Sequence, residues 1–550
     1  MRAALAHPAL VPWLLFAASA AFVAWRNSEV GILVDISYPL NTAMRIALGE
    51  VPYQQFALAQ APGEFVLQAL LIKLGGPQYL VQIVWAAVLG GAATALTFLL
   101  VRRILADAVR LPAAVATIIC LPLIPLGIYA IYPHPFYDPD ACLLVVLALW
   151  VTLAVADRPS TARWAIAGAL IALPVWMKQN IGGAFLLAAL GAILLVALAD
   201  PGARVRARWI VTGFALMTGL LVLALQLTIG LDSYLRWALT FALSARGVVA
   251  DRVAAFVDPA SIAMGVLLLV LVAAAQRLRE RDRAIAFAAV GAIFVLVSFA
   301  PPGIPANAVA FFPPVMGAAT VLATLRAVRE GIRFATLIPV IAFVTVVGAA
   351  ESQGVKDSTF AMFPLLVVAL AGLVRDLAWA VPRPVRIAPM TAAVVALALT
   401  VSGSLYTVTN MRLRFVDVNA PGPAQHSTFP TLTGLSAHGP YIADLDEVLF
   451  WVRDHVAPDD AFVFLPGEDP VYFALGRRPP LPAVYFYDVA TGYTAPELIA
   501  AADASHVRWV FVKDRPQLKQ DVPLADELAR ALTDRATLVA QLGAYRVYRR

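Results

Sequence analysis

Gln78–Arg110 reads QYLVQIVWAAVLGGAATALTFLLVRRILADAVR, and this stretch decides the architecture. From Gln78 to Val101 it carries no charge, which is long enough for the roughly 20 apolar residues that a membrane-crossing helix needs. Arg102, Arg103 and Arg110 then close it. Moving downstream, an apolar pair of segments leads to Arg158 and Arg163, and another pair to Arg204, Arg206 and Arg208. The pattern recurs at Arg277–Arg283, Arg326–Arg333 and Arg375–Arg386. Each cluster falls after an even number of apolar stretches, as the positive-inside rule requires of a single orientation. The alternating, arginine-poor loops then face away from the cytoplasm.

Composition agrees. Of 550 residues, 61% are hydrophobic and only 14% charged, and mean hydropathy is +0.80. That excludes an ordinary soluble domain. The net charge of +6 and pI near 9.3 come from arginines in the cytoplasmic loops, where anionic lipid headgroups answer them. No basic run is interleaved with stacking aromatics, so nucleic acid is not an expected partner. Cys120 and Cys142 both lie in apolar segments and read as small buried hydrophobes.

Apolar stretches near 8–25, 78–100, 111–131, 139–156, 164–177, 181–199, 209–229, 259–276, 285–300, 309–325, 334–350, 359–374 and 387–407 predict about thirteen spans. The first reads as an uncleaved anchor, because removing it would invert the alternation. The ninth and tenth are interrupted by Pro301-Pro302 and Pro313-Pro314. Residues 1–407 thus form a membrane domain with outer loops 26–76, 132–138 and 230–258. In the first loop, Tyr38–Leu48 and Phe65–Leu74 read as amphipathic interfacial helices. Residues 408–550 have the composition of a soluble α/β domain on the outer side. There, helices are predicted at 444–455, 496–502 and 524–532, strands at 461–465 and 507–512, and a terminal hairpin about Gly543.

Three places could carry chemistry. Asp35 lies beyond the first span among apolar neighbours, where partial desolvation raises a carboxyl pKa and suits a general base. Equally, Asp35 or Ser37 could simply cap the helix that follows. Asp138 and Asp140 open the fourth span beside His134 and Tyr137; they read as helix-start acids favoured by the macrodipole, or as a polar pocket facing Asp35. Lys178, next to Gln179 and Asn180 after a short fifth span, reads as a partner for a lipid phosphate or as a snorkelling lysine. The spacing does not indicate a metal. The acids Asp444, Asp446, Glu447, Asp459 and Asp460 of the C-terminal domain read as solvated charges or helix caps.

In order and sidedness these pieces resemble the GT-C class of membrane glycosyltransferases, in the bacterial branch related to protein mannosyltransferases and the aminoarabinose lipid A transferase. The resemblance rests on Asp35-x-x-Tyr38, then Gly49-x-x-Pro52-Tyr53, a Pro62 turn and Gly75-Gly76. It continues with the acid opening the fourth span, Lys178-Gln179-Asn180-Ile181-Gly182 and an outer α/β tail ending Tyr545-Arg546-Val547-Tyr548-Arg549-Arg550. It implies a mainly α, GT-C-like bundle in the bacterial inner membrane. It further implies inverting sugar transfer from a polyprenyl-phosphate donor to a hydroxyl of a lipid, glycan or protein acceptor at the outer face. Asp35 would be the base, with Asp138 shaping the site and Asp140 as the alternative. Tyr38, Tyr53, His134 and Gln179 would contact substrate, and Lys178, with Arg246 or Arg252, would steady the departing phosphate. Two departures matter. Ile36 follows Asp35 where the class often has a second acid, which weakens the case for a divalent metal cofactor. Gln60-Ala61-Pro62 stands where the aminoarabinose branch has Lys-Pro-Pro, so Gln60 could only be a neutral donor. A transporter or flippase, or a polymerase or ligase of lipid-linked glycans, is the competing class; a transporter should show inverted repeats, and none is visible.

Overall fold

The computed structural model describes residues 9–244, 254–275, 277–298, 307–354, 359–380, 387–487 and 491–550. The chain is a polytopic helical membrane bundle capped at one end by a C-terminal α/β domain. Each of the thirteen apolar stretches carries helix. Among the described residues, seven helices are long and apolar enough to cross a membrane: Tyr79–Leu105, Tyr137–Asp157, Gln179–Ala199, Ala203–Thr228, Phe334–Ser352, Phe363–Ala380 and Pro389–Leu413.

The helices of the remaining stretches are shorter, broken or more polar towards one end, as with Arg26 and Glu29 in Val11–Glu29. The third is split into Pro112–Cys120 and Leu123–Leu126. Pro122 and Pro125 lack the N–H that a continuous helix needs there. The tenth stretch is interrupted at Pro313-Pro314 as expected: a short helix, Asn307–Ala310, ends just before them, and the prolines open the first turn of Phe312–Glu330, where the N–H groups are unpaired anyway. Pro301-Pro302 lies outside the described residues.

Helix Ala203–Thr228 leaves Val211, Leu216, Leu220, Leu223 and Leu227 exposed, as expected of a face that meets lipid rather than water. Its other face crosses Thr161–Ala172 closely. A Cβ on Gly168 or Gly213 would come within 1.9 Å of the opposite backbone, so small residues set this crossing. Arginines of these turns form ion pairs: Arg103 with Asp157, and Arg326 and Arg375 with Asp376.

In the C-terminal domain the predicted elements fall close to where periodicity places them. Helices are Tyr441–His455, Ala495–Ala504 and Pro523–Thr533; strands are β1 (Ala424–His426), β2 (Ser436–His438), β3 (Ala461–Leu465), β4 (Val507–Lys513), β5 (Thr537–Leu542) and β6 (Tyr545–Arg549). The main sheet runs β3-β4-β6-β5, with β3 parallel to β4 and the rest antiparallel. Short β1 and β2 form a separate pair with no sequence forecast. The acids read as solvated are partly structural instead. Asp446 is buried and accepts from Ser427 and Thr428, and Asp460 accepts from Arg508 and Trp509.

The element that positions the site is the first-loop helix Leu33–Ala47. It is not an interfacial helix with one lipid face; it is buried nearly all round, between the bundle and the C-terminal domain. Its polar residues bond the C-terminal backbone. Ser37 Oγ donates to Gly467 O (2.8 Å) and Asp469 O (3.0 Å). Asn41 Nδ2 donates to Asp469 O (3.1 Å), and Asn41 Oδ1 accepts from Phe473 N (2.9 Å). Arg45 Nη1 donates to Leu481 O (2.7 Å) and the same guanidinium pairs with Glu50. Just before the helix, Gln517 donates to Gly31 O and accepts from Leu33 N, both at 2.9 Å.

Asn41→Ala would leave the buried Phe473 N–H without its partner, at about 1–3 kcal/mol, while Asp469 O keeps Ser37 Oγ and Val471 N. The detergent-solubilised chain is expected to melt several degrees lower in a thermal unfolding scan, with the bundle's helical circular dichroism retained.

Candidate active site

Asp35 sits in the first turn of Leu33–Ala47, whose N-cap is Ile32 with no side-chain cap. The capping reading therefore does not hold: the helix starts before Asp35, and Ser37 is committed to Gly467 and Asp469. Asp35 is half-buried. Its carboxylate takes a hydrogen bond from Tyr132, while Oδ2 has no hydrogen-bond partner. The Arg412 guanidinium acts on it electrostatically. Burial pushes the carboxyl up to about 6, and Tyr132 and Arg412 restrain the rise.

The loop 132–138 forms the facing wall. Tyr132, His134, Phe136 and Tyr137 pack as a ladder, with centroid separations of 4.7 Å for Tyr132–His134, 5.3 Å for Tyr132–Phe136 and 4.0 Å for Phe136–Tyr137. His134 is buried behind Tyr132, and burial lowers it to about 3, so it is neutral there. Tyr137 lies 6.2 Å from Phe65, Phe65 lies 5.7 Å from Tyr38, and Tyr38 is one helical turn from Asp35. A closed circuit of side-chain contacts thus runs from Asp35 through the second loop and back.

Lys178 belongs to this circuit. Helix Thr161–Ala172 ends before Pro174, and a single turn, Pro174–Met177, follows. Lys178 is then extended (φ −149°, ψ 117°) before the next helix starts at Gln179. The kink is fixed by close packing: a Cβ on Gly182 would lie 2.1 Å from Val175 N. Lys178 does not snorkel. It is 2% exposed, its Nζ is 3.7 Å from Asp138 Oδ1 and 4.0 Å from the centre of the Tyr137 ring. A buried ammonium needs such partners.

Asp140 takes a different partner from Asp138. Tyr129 donates to its carboxylate, and Glu64 faces it across a hydrogen bond, with Gln68 Nε2 donating to Glu64 Oε1 (2.7 Å). Burial and the nearby Asp140 hold Glu64 well above the usual carboxylate range. No third ligand-type side chain joins them among the described residues.

The other sequence candidates are placed as follows. Tyr38 donates its hydroxyl to the Gln60 side chain. Tyr53, at φ +65°, is buried and donates to Gln60 O (2.6 Å), which makes it a loop fastener in this structure. Gln179 Nε2 donates to Ala59 O (3.1 Å) and Ala238 O (2.9 Å), tying the first outer loop to the third. Arg246 and Arg252 lie outside the described residues. Sequence reasoning passed over Tyr132, Glu64, Tyr485 and Arg412. Arg412 had a signal: it follows the last span on the arginine-poor side, against the alternation. In the structure it stands over the rings of Phe360, Tyr132 and Phe415 at 5.5–5.7 Å.

No family model matches the chain, and no curated protein does. Among solved structures it is similar to ArnT from Cupriavidus metallidurans bound to undecaprenyl phosphate, at 13% identity over 97% of both chains and a TM-score of 0.48. The same protein in the apo state aligns at 13% identity over the same shares, with a TM-score of 0.45. The archaeal oligosaccharyltransferase AglB from Archaeoglobus fulgidus, in complex with an inhibitory peptide and a dolichol-phosphate, aligns at 14% identity. That alignment covers 94% of this chain and 72% of that one, with a TM-score of 0.47. The likeness is one of chain-long layout, and at these values no residue's role is carried across.

Removing the Arg412 charge should let Asp35 rise further, by about one unit. Arg412→Gln is expected to move the Asp35 titration alkaline in carbon-13 spectra of aspartate-labelled protein; an unmoved titration would separate the two groups.

Proposed function

We propose that the chain is a bacterial inner-membrane glycosyltransferase that moves a sugar from a polyprenyl-phosphate donor to an acceptor hydroxyl on the outer face. The observation that carries this reading is the Asp35 carboxylate: half-buried, steadied by Tyr132 and Arg412, and in one circuit of contacts with Lys178. Domain 408–550 would then be periplasmic and residues 1–407 the membrane part. A lipid donor fits a site at a membrane surface where nucleotide sugars are not supplied.

In this reading Asp35 accepts the proton of the acceptor O–H as that oxygen bonds the anomeric carbon. The bond from that carbon to the phosphate oxygen breaks, its electron pair leaves with the polyprenyl phosphate, and attack from the opposite side inverts the centre. A carboxylate that titrates near 6 is ionised at neutral pH yet basic enough to help, and such help contributes about 10²–10⁴-fold. Lys178, aimed by Asp138 and the Tyr137 ring, stabilises the charge that grows on the phosphate. Asp138 acts through Lys178 and is a positioning residue.

Asp35→Asn is expected to abolish transfer from radiolabelled polyprenyl-phosphate sugars while membrane expression stays normal; near-normal turnover would remove Asp35 from the chemistry. For the native chain, kcat/KM should fall about tenfold per unit below pH about 6, because protonation removes the base. Lys178→Gln should lower kcat by about ten- to a hundredfold, the worth of a charge-assisted contact to the leaving group.

A further inference from the structure

The C-terminal domain sends one segment into the recess around Asp35. Tyr485 lies 5.8 Å from Tyr38, one turn along the helix from Asp35, and Tyr487 lies 4.1 Å from Tyr485. The segment is clamped from behind. Phe486 N donates to Pro466 O (3.2 Å), and a Cβ on Gly467 would come within 2.3 Å of Val484 O. The Asp35 charge is felt at both tyrosine hydroxyls, and Glu468 and Asp469 act on Tyr487 from its other side.

Tyr487 is 7% exposed, and among the described residues its hydroxyl has no hydrogen-bond partner. Two other buried tyrosines of the C-terminal domain do bond, Tyr472 to Phe462 O (3.0 Å) and Tyr545 to Asp469 Oδ2 (2.6 Å), while Tyr79 in the bundle finds no partner among the described residues. Leaving a phenol unbonded in the interior destabilises the fold, and phenylalanine would fill the same space without that cost. Packing alone therefore does not account for the hydroxyl. Its place at the end of the tilted Tyr38–Tyr485–Tyr487 row, within the field of Asp35, suits a ring that offers C–H faces to the aromatics and hydroxyls to the phenol.

We propose that Tyr487, supported by Tyr485, recognises a hydroxyl of the donor's sugar ring, so that the C-terminal domain contributes sugar specificity to the site in the membrane domain. This rests on the glycosyltransferase reading above. No covalent step is assigned to either tyrosine.

The test compares binding of undecaprenyl phosphate with binding of undecaprenyl phosphates carrying mannose, glucose or galactose. Both are measured by thermophoresis on the full chain in nanodiscs. The native chain is expected to hold one of the sugar lipids more tightly than the bare lipid. In Tyr487→Phe that gain should shrink about tenfold, the worth of one hydrogen bond in a buried site. Affinity for the bare lipid should be unchanged and the melting temperature equal or higher. Retention of the full gain in Tyr487→Phe overturns the assignment, as does a fall in melting temperature with equal loss for both lipids, which would mark the hydroxyl as structural. If the native chain binds sugar-bearing and bare lipids alike, the site reading fails along with this one.

Discussion

Everything at the recess depends on one buried charge cluster. The Lys513 side chain on β4 is fully buried, and its Nζ donates to Glu468 Oε1 at 2.6 Å and to both Asp469 oxygens at 2.9 and 3.0 Å. Tyr545 donates to Asp469 as well, and Gln517 N and Leu518 N donate to Glu468. The same short turn offers the carbonyls of Gly467 and Asp469 to Ser37 and Asn41. One lysine thus bridges both acids of a loop whose backbone holds the helix bearing Asp35. Removing one partner of such a group strands a buried charge at about 3–5 kcal/mol. The position of the carboxylate is therefore tied to electrostatics inside the C-terminal domain.

The recess combines two electrostatic environments. Asp35 keeps an oxygen without a hydrogen bond, in surroundings that raise its proton affinity, with Arg412 limiting the rise. Lys178 is held as a cation by Asp138. Glu64, facing Asp140 two residues along from Asp138, is held well above the usual carboxylate range by burial and by that neighbour. Two acids of one helical turn, Asp138 and Asp140, thus take different partners: one faces Lys178 and the other Tyr129 and Glu64.

Much of this was legible in the chain. Apolar length and arginine spacing gave the bundle, and period-two and period-3.6 patterns gave the C-terminal elements, because both follow from local chemistry. The importance of positions 35, 138 and 178 could be raised from residue type and sidedness. Their partners could not. The Lys178–Asp138 pair joins segments forty residues apart, and Asp35 meets Tyr132 across nearly a hundred. The burial of Leu33–Ala47 was hidden for the same reason: its second covering surface comes from residues beyond 430. A helix start was misjudged where no residue caps, as at Ile32.

The Gln517 bridge to Gly31 and Leu33 spans 484 residues of sequence. During synthesis the bundle is threaded into the membrane from its amino-terminal side, long before Lys513 and Gln517 leave the ribosome. Until they do, the helix with Asp35 lacks the surface that seats it. The proposed site is thereby completed only with the last strands of the chain.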